Sequence, residues 1–161
     1  MRVGIGYDIH RLVEERPLVL GGIVIPHYKG LVGHSDGDVL LHAIADSMLG
    51  AAGLGDIGSH FPPGDPGTEG ISSLIILGKI NTLIEAKGWR ISNLDATIVA
   101  EKPKLAEYLP VMKKLIAETL RTDLDRIGIK AKTNEGLGAE GREEAVTAYA
   151  VAMIVQIPGP S

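Results

Sequence analysis

Apolar and polar residues alternate at the start of the chain, and residues 2–10 read as a strand that ends in polar positions. Leu18-Val19-Leu20 and Ile23-Val24-Ile25 flank Gly21-Gly22, a two-residue hairpin signal. The period then changes. Over 36–52, Val39, Leu40, Ala43, Ile44 and Met48 recur at helical spacing; Ser35 is placed to cap this helix, with Asp38 following as in a capping box. A Gly- and Pro-rich stretch over 53–70 comes next, and a loop of that length inside a compact domain is a functional or mobile element. Further helices are predicted over 71–86, stopped by Gly88, and over 109–120, with Pro110 in the first turn. Strands are predicted over 92–100, where Leu94, Ala96, Ile98 and Ala100 share a face, over 127–133 and over 145–157. The last is ambiguous, because alternating Ala and Val suits a small-residue helix nearly as well. The pattern describes one α/β (α+β) domain over 1–157 and a frayed tail over 158–161.

Composition narrows the function. A chain of 161 residues is enough for one domain with a real core and too short for two comfortable ones. Its 45% hydrophobic and 22% charged residues are ordinary globular values. A net charge of −4 argues against a nucleic-acid surface, while leaving room for a local basic pocket for a small anion. There is no cysteine, so disulfides, thiolate nucleophiles and thiolate metal sites are excluded together, and any transition metal must be held by His, Asp or Glu. The apolar run over 145–157 is shorter than the ~18 residues of a membrane span. The chain opens directly on a strand-like run, which leads to an expected cytoplasmic location.

Asp8 and His10 stand two apart at a strand end, so their side chains share a face. His42 lies one helical turn after Asp38 and one before Asp46, and a carboxylate beside a histidine is the usual device for fixing which ring nitrogen faces a metal. Two His and one Asp with a position open is the ligand set of a catalytic zinc site; the alternative is a solvated helix face with a surface histidine. His34 and Ser35 precede the same helix, where free N–H groups suit a phosphate, or they are merely a loop residue and a cap. Asp56, in Gly55-Asp56-Ile57-Gly58, can accept from sugar hydroxyls or close an Asx-turn. The stretch from Ala100 through Glu101, Lys102, Pro103 and Lys104 to Leu105 leaves a strand with backbone able to pair with a nucleobase edge. Lys132-Thr133-Asn134-Glu135 ends another strand, and Glu135 can hold a harder ion such as Mg²⁺ or simply cap a turn before Gly136. Arg142 and Glu144 can form an exposed pair of little energetic value.

Taken together, Gly4-Ile5-Gly6-Tyr7-Asp8-Ile9-His10, His34-Ser35-Asp36-Gly37-Asp38 through His42 to Gly58, Lys132–Glu135 and Gly141-Arg142 resemble the 2-C-methyl-D-erythritol 2,4-cyclodiphosphate synthase family from Met1 to about Gln156. The resemblance implies that 4-diphosphocytidyl-2-C-methyl-D-erythritol 2-phosphate is closed to the cyclic diphosphate with release of CMP, without an organic cofactor. It implies Zn²⁺ or a similar ion on Asp8, His10 and His42, and Mg²⁺ or Mn²⁺ with Glu135 and the substrate diphosphate. His34 and Thr133 match positions that steady the transition state. Asp56 and Gly58 match the methylerythritol pocket, and Ile57, Phe61 and Asp65 are further expected substrate contacts. Ala100, Pro103, Lys104, Leu105 and Ala106, with Ala131, Lys132 and Thr133, match the cytidine pocket. Asp8, His10, Ser35, Asn134, Glu135 and Arg142 complete the expected substrate contacts.

The implied architecture is a mixed, mostly four-stranded sheet plus a small hairpin, with helices on one face. The implied assembly is a homotrimer with sites between subunits and a central cavity for an isoprenoid diphosphate anchored by Arg142. Pro63 stands where many members have Asp, so the loop is expected to close differently; Asn134, where Thr is common, is expected to be a small change. Ala139 replaces a common aromatic near the central cavity, so an isoprenoid diphosphate is expected to be held more weakly there. A metal-dependent phosphohydrolase and a non-enzymatic trimer that senses isoprenoid diphosphates are the alternatives.

Overall fold

In chain order the elements are β1 (Arg2–Glu14), β2 (Leu18–Leu20), β3 (Ile23–Ile25), β4 (Lys29–Leu31), α1 (Val39–Ala52), α2 (Ile57–His60), α3 (Ser73–Ala86), β5 (Trp89–Val99), α4 (Leu109–Leu120), a 3₁₀ turn (Leu124–Arg126), β6 (Ile127–Lys132), α5 (Gly138–Gly141) and β7 (Ala145–Gln156). They are seen in a computed structural model that describes residues 1–62, 64 and 67–157. The expected tail over 158–161, with Pro63 and Asp65, lies outside the described residues.

Alternation sorts the side chains of β1 onto two faces. Gly4, Gly6, Asp8, His10 and Leu12 point one way, and Val3, Ile5, Tyr7 and Ile9 point the other and are exposed. Strand β7 behaves in the same way, with Val146, Ala148, Ala150, Ala152 and Ile154 buried while Tyr149 and Val151 are exposed. This period of two resolves the ambiguity over 145–157 in favour of a strand. β1 and β7 pair antiparallel from Arg2↔Ile154 to Arg11↔Ala145.

The sheet has five strands, not four, in the order β4-β1-β7-β5-β6; β5 and β6 are parallel and the other pairs antiparallel. The extra strand, β4, pairs with the far end of β1 through Leu12↔Leu31 and Glu14↔Lys29. Three residues with a central glycine carry too little alternation to be seen in the sequence. The hairpin β2–β3 forms its own small sheet around Gly21 and Gly22, both at positive φ as a tight two-residue turn requires. Strand β5 begins earlier than its pattern suggests. A register shift between Ile91 and Asn93 changes the buried parity from Ile91 to Leu94, Ala96 and Ile98, which hides the first residues from an alternation test.

The helices cover the inner face of the sheet. Helix α1 lies across β1 and β7, and Leu40, Leu41, Ile44, Met48 and Leu49 fill the core with Leu77, Ile80 and Ile84 of α3. Its approach to β1 is unusually close. A Cβ on Gly6 would collide with the Ala43 carbonyl and stand 2.8 Å from the Ser47 nitrogen; one on Gly4 would run into the Ser47 carbonyl and the Ala51 nitrogen. No helix among the described residues is long and apolar enough to cross a membrane.

The start of α1 differs from expectation. The helix begins at Val39, its cap is Asp38 and not Ser35, and Gly37 at positive φ turns the chain just before it. Buried Asp38 accepts the Leu41 N–H at 3.1 Å and the Gly22 N–H at 2.7 Å, fastening the hairpin to the helix. α3 likewise starts at Ser73, capped by Ser72. Burial pushes the Asp38 carboxyl up to about 6, against the pull of those two N–H groups.

Two predictions follow from this packing. Gly6→Ala forces backbone from backbone and is expected to cost about 1–3 kcal/mol, read as a lower urea midpoint; an unchanged midpoint would mean the seam can open freely. A carboxyl that holds its proton more tightly folded than unfolded adds stability below its ordinary value of 3.8 and loses it as the pH rises to about 6. The stability advantage of the parent over Asp38→Asn should therefore widen as pH falls from 6.5 to 4, roughly; a constant difference over that window contradicts the assignment.

Candidate metal centre

The seam between β1 and α1 ends in a group of polar side chains. Past Gly4 and Gly6, the next inward positions of β1 are Asp8 and His10. In the first turn of α1, His42 N–H bonds the Asp38 carbonyl and its ring leans over the strand. Asp8 Oδ2, His10 Nε2 and His42 Nδ1 form a triangle with edges of 2.8, 3.0 and 3.2 Å. Among the described residues this is the group of three His or acidic side chains whose donor atoms converge.

The outer ring nitrogens show what the inner ones offer. His10 Nδ1 bonds the Val32 carbonyl, so it carries hydrogen and leaves Nε2 as a lone pair. His42 Nε2 stands 3.0 Å from both Ser35 Oγ and Ser73 Oγ. With Nε2 protonated, the cluster presents a carboxylate and two imidazole lone pairs to one point, an arrangement that needs a cation at its centre. Donors at ~2.0–2.1 Å from a tetrahedral ion stand roughly 3.3 Å apart, close to the edges seen. The donor set therefore fits a zinc-type ion.

Burial raises the Asp8 carboxyl, but the adjacent His10 and His42 rings outweigh it and hold Asp8 at about 2, so it is anionic throughout the neutral range. Burial lowers His10, and the bond and charge of Asp8 with the Val32 carbonyl reverse that into a net rise.

The carboxylates expected to orient His42 do other work. Asp38 is the helix cap described above. Asp46 accepts the Ile57 N–H at 2.7 Å and ties α1 to the start of α2. Both share the His42 helix face by spacing, and a neighbouring backbone N–H has claimed each. The partners at His42 Nε2 are Ser35, expected as a cap or a phosphate contact, and Ser73, which no sequence pattern singles out.

The other predicted residues fall into separate groups. His10, His34, Ser35 and His42 line a cavity of about 160 Å³ with Ile57, Gly58 and Phe61, together with Thr68 and Ile76, which carry no pattern in the sequence that points to a site. His34 Nε2 accepts from the Gly64 N–H, and the His34 carbonyl accepts from the Gly70 N–H at 2.9 Å, so His34 holds both glycines. Asp56 caps α2 by accepting the Ser59 N–H and hydroxyl at 2.8 and 2.6 Å, as the Asx-turn reading has it.

Ala100, Pro103, Lys104, Leu105, Ala106, Ala131, Lys132 and Thr133 come together around a second cavity of about 190 Å³, along with Glu101. Glu101, part of the stretch expected to meet a nucleobase, accepts the Asn134 and Gly136 N–H groups at 3.2 and 3.4 Å and holds the two walls together. The two cavities share no lining residue. Glu135 is exposed at positive φ, accepts the Thr133 hydroxyl at 3.0 Å and is not in the three-residue cluster. Arg142 forms the exposed pair with Glu144, two contacts of 3.1 Å. Ala139 lines a third cavity of about 410 Å³ with Ile9, Arg11, Lys29 and Glu143, to which Arg142 does not contribute.

Fold and cluster define an α/β domain with three converging donors that could hold a cation. The model of the YgbB family matches residues 1–155. The 2-C-methyl-D-erythritol 2,4-cyclodiphosphate synthase of Cyanothece sp. is 55% identical over 98% of this chain and 98% of its own. The bifunctional IspDF of Campylobacter jejuni superposes with a TM-score of 0.93 at 38% identity over 97% of this chain, which spans 42% of that longer one. Plasmodium falciparum IspF in complex with CDP superposes with a TM-score of 0.85 at 36% identity, over 98% of this chain and 97% of that one. The chain belongs to the YgbB family, and within it to the 2-C-methyl-D-erythritol 2,4-cyclodiphosphate synthases.

Because Asp46 bonds α2 and not His42, Asp46→Ala is expected to leave Zn²⁺ affinity within about 2-fold while hydrogen exchange accelerates over 54–60. A loss of Zn²⁺ affinity on the order of 10-fold or more, measured by chelator competition, would return Asp46 to a role at the metal.

Proposed function

We propose that this chain converts 4-diphosphocytidyl-2-C-methyl-D-erythritol 2-phosphate to 2-C-methyl-D-erythritol 2,4-cyclodiphosphate and CMP, a step of non-mevalonate isoprenoid biosynthesis. The observation that carries the proposal is the convergence of Asp8, His10 and His42 on one point beside a cavity, in a chain whose relatives bear that enzyme's name. An oxygen of the 2-phosphate forms a bond to the β-phosphorus; the bond from that phosphorus to the bridging oxygen breaks, and the oxygen leaves on CMP. The nucleophile belongs to the substrate, so the protein's task is alignment and charge neutralisation.

Asp8, His10 and His42 hold a zinc-type divalent ion, which when bound supplies Lewis acidity to a phosphate oxygen. His34 and Ser35, at the same cavity, donate to the phosphates. Ile57, Gly58 and Phe61 enclose the methylerythritol carbon chain, with Asp56 and Asp65 reaching its hydroxyls. Glu135 with Thr133 and Asn134 serves the diphosphate and its Mg²⁺ or Mn²⁺. The cavity between 100–106 and 131–133 takes the cytidine, in keeping with the CDP-bound relatives. No organic cofactor enters.

The exposed apolar face of Val3, Ile5, Tyr7, Ile9, Tyr149 and Val151 is a surface to be covered by other copies of the chain. A homotrimer that brings one copy's cytidine cavity to its neighbour's metal cluster accounts for the separation of the two cavities. The Ala139 cavity would then face the trimer axis, where Arg142 anchors an isoprenoid diphosphate. The enzyme works in the cytoplasm.

The test is CMP release from the cytidyl substrate. Chelation should abolish it, Zn²⁺ with Mg²⁺ should restore it, and His42→Ala should lower it more than ~100-fold. Phosphorus NMR should show the two coupled phosphates of a cyclic diphosphate; inorganic phosphate as the product would identify a phosphohydrolase instead.

A further inference from the structure

The side chains behind His42 decide where its hydrogen sits. Ser73, the first residue of α3 and only 1% exposed, donates its hydroxyl hydrogen to Asp36 Oδ1, while its backbone N–H goes to Asp36 Oδ2 at 2.9 Å. Its Oγ also stands 3.0 Å from His42 Nε2. A hydroxyl has one hydrogen, and this one is committed to a carboxylate. Ser73 therefore meets His42 as an acceptor, Nε2 carries the hydrogen, and the lone pair falls on Nδ1, the nitrogen that faces Asp8 and His10. Ser35 Oγ is equally near Nε2 but is bound to no carboxylate, so it can donate or accept and decides nothing.

We infer that Asp36 and Ser73 are a positioning pair that fixes the tautomer of His42 and so keeps the cluster ready for a divalent cation. The inference rests on the reading of Asp8, His10 and His42 as a cation site. Without the pair, Ser35 can turn as a donor to Nε2. The ring hydrogen then moves to Nδ1 and points at Asp8 Oδ2, 3.0 Å away, forming a bond that any cation must displace. The pair is anchored just before α3, since the Asp36 N–H donates to the Ile71 carbonyl at 3.1 Å.

Three measurements on the full chain test this. Long-range ¹⁵N–¹H correlation of ¹⁵N-histidine protein before cation is added should show His42 as the Nε2–H tautomer. Ser73→Ala and Asp36→Asn should weaken Zn²⁺ binding on the order of 10- to 100-fold in chelator competition. Both should also alter the visible bands of bound Co²⁺, and Ser73→Thr, which keeps the hydroxyl, should restore affinity and spectrum. An Nδ1–H tautomer in the parent overturns the inference, as does parental Zn²⁺ affinity with a parental Co²⁺ spectrum in both Ser73→Ala and Asp36→Asn. Should Ser73→Ala fail to fold, the parent resonances and Asp36→Asn still decide. A parent that takes up no Zn²⁺ refutes the cation site and the pair with it; a parent that binds while its variants bind equally refutes the pair alone.

Discussion

Backbone lying directly on backbone is the constraint from which the rest of this molecule follows. Where β1 carries Gly4 and Gly6, helix α1 comes so near that even a methyl group has no room. Across the neighbouring strand the helix meets Ala148, Ala150 and Ala152, again small side chains. The depth at which α1 sits is therefore set by main-chain atoms. That depth carries the His42 ring down to the level of Asp8 and His10, and a bulkier strand would hold the imidazole away from the other two donors. The apolar core around Leu40, Ile44, Met48 and Leu77 keeps the helix pressed against the sheet by removing roughly 1.5–3 kcal/mol of apolar side chain from water at each such position.

Much of this was legible in the residues, for definable reasons. Regular periods announce themselves, so β1, α1 and α4 could be placed, and two-residue spacing was enough to put Asp8 and His10 on one face. The ladder with β1 then resolved the one ambiguous segment. Short or interrupted patterns were not legible. β4 is three residues around a glycine, and the register shift near Ser92 reverses the parity of β5 part-way along.

Helical spacing correctly puts Asp38 and Asp46 on the same side of α1 as His42, but it is blind to backbone N–H groups from elsewhere. Gly22 and Ile57 supply these and take both carboxylates. Ser73 meets His42 across 31 positions of sequence, and Glu101 bridges to a loop more than thirty positions on. Contacts of that kind leave no periodic trace, because the fold alone creates them.

The alternation of β1 also gives the strand two unlike surfaces, since its inner residues include a carboxylate and an imidazole and its outer ones are Val3, Ile5, Tyr7 and Ile9. Sliding such a strand by a single position against β7 would exchange the two sets, turning Tyr7 and Ile9 inward and leaving Asp8 and His10 stranded on an oily exterior. Mispairing during folding would thus scatter the converging donors and bury the outer apolar residues in one stroke. The short β4 ladder and the Val32–Arg11 bond beyond it hold the opposite edge of β1, and because the Val32 carbonyl also bonds His10 Nδ1, these few residues couple the strand's alignment to the donors it carries.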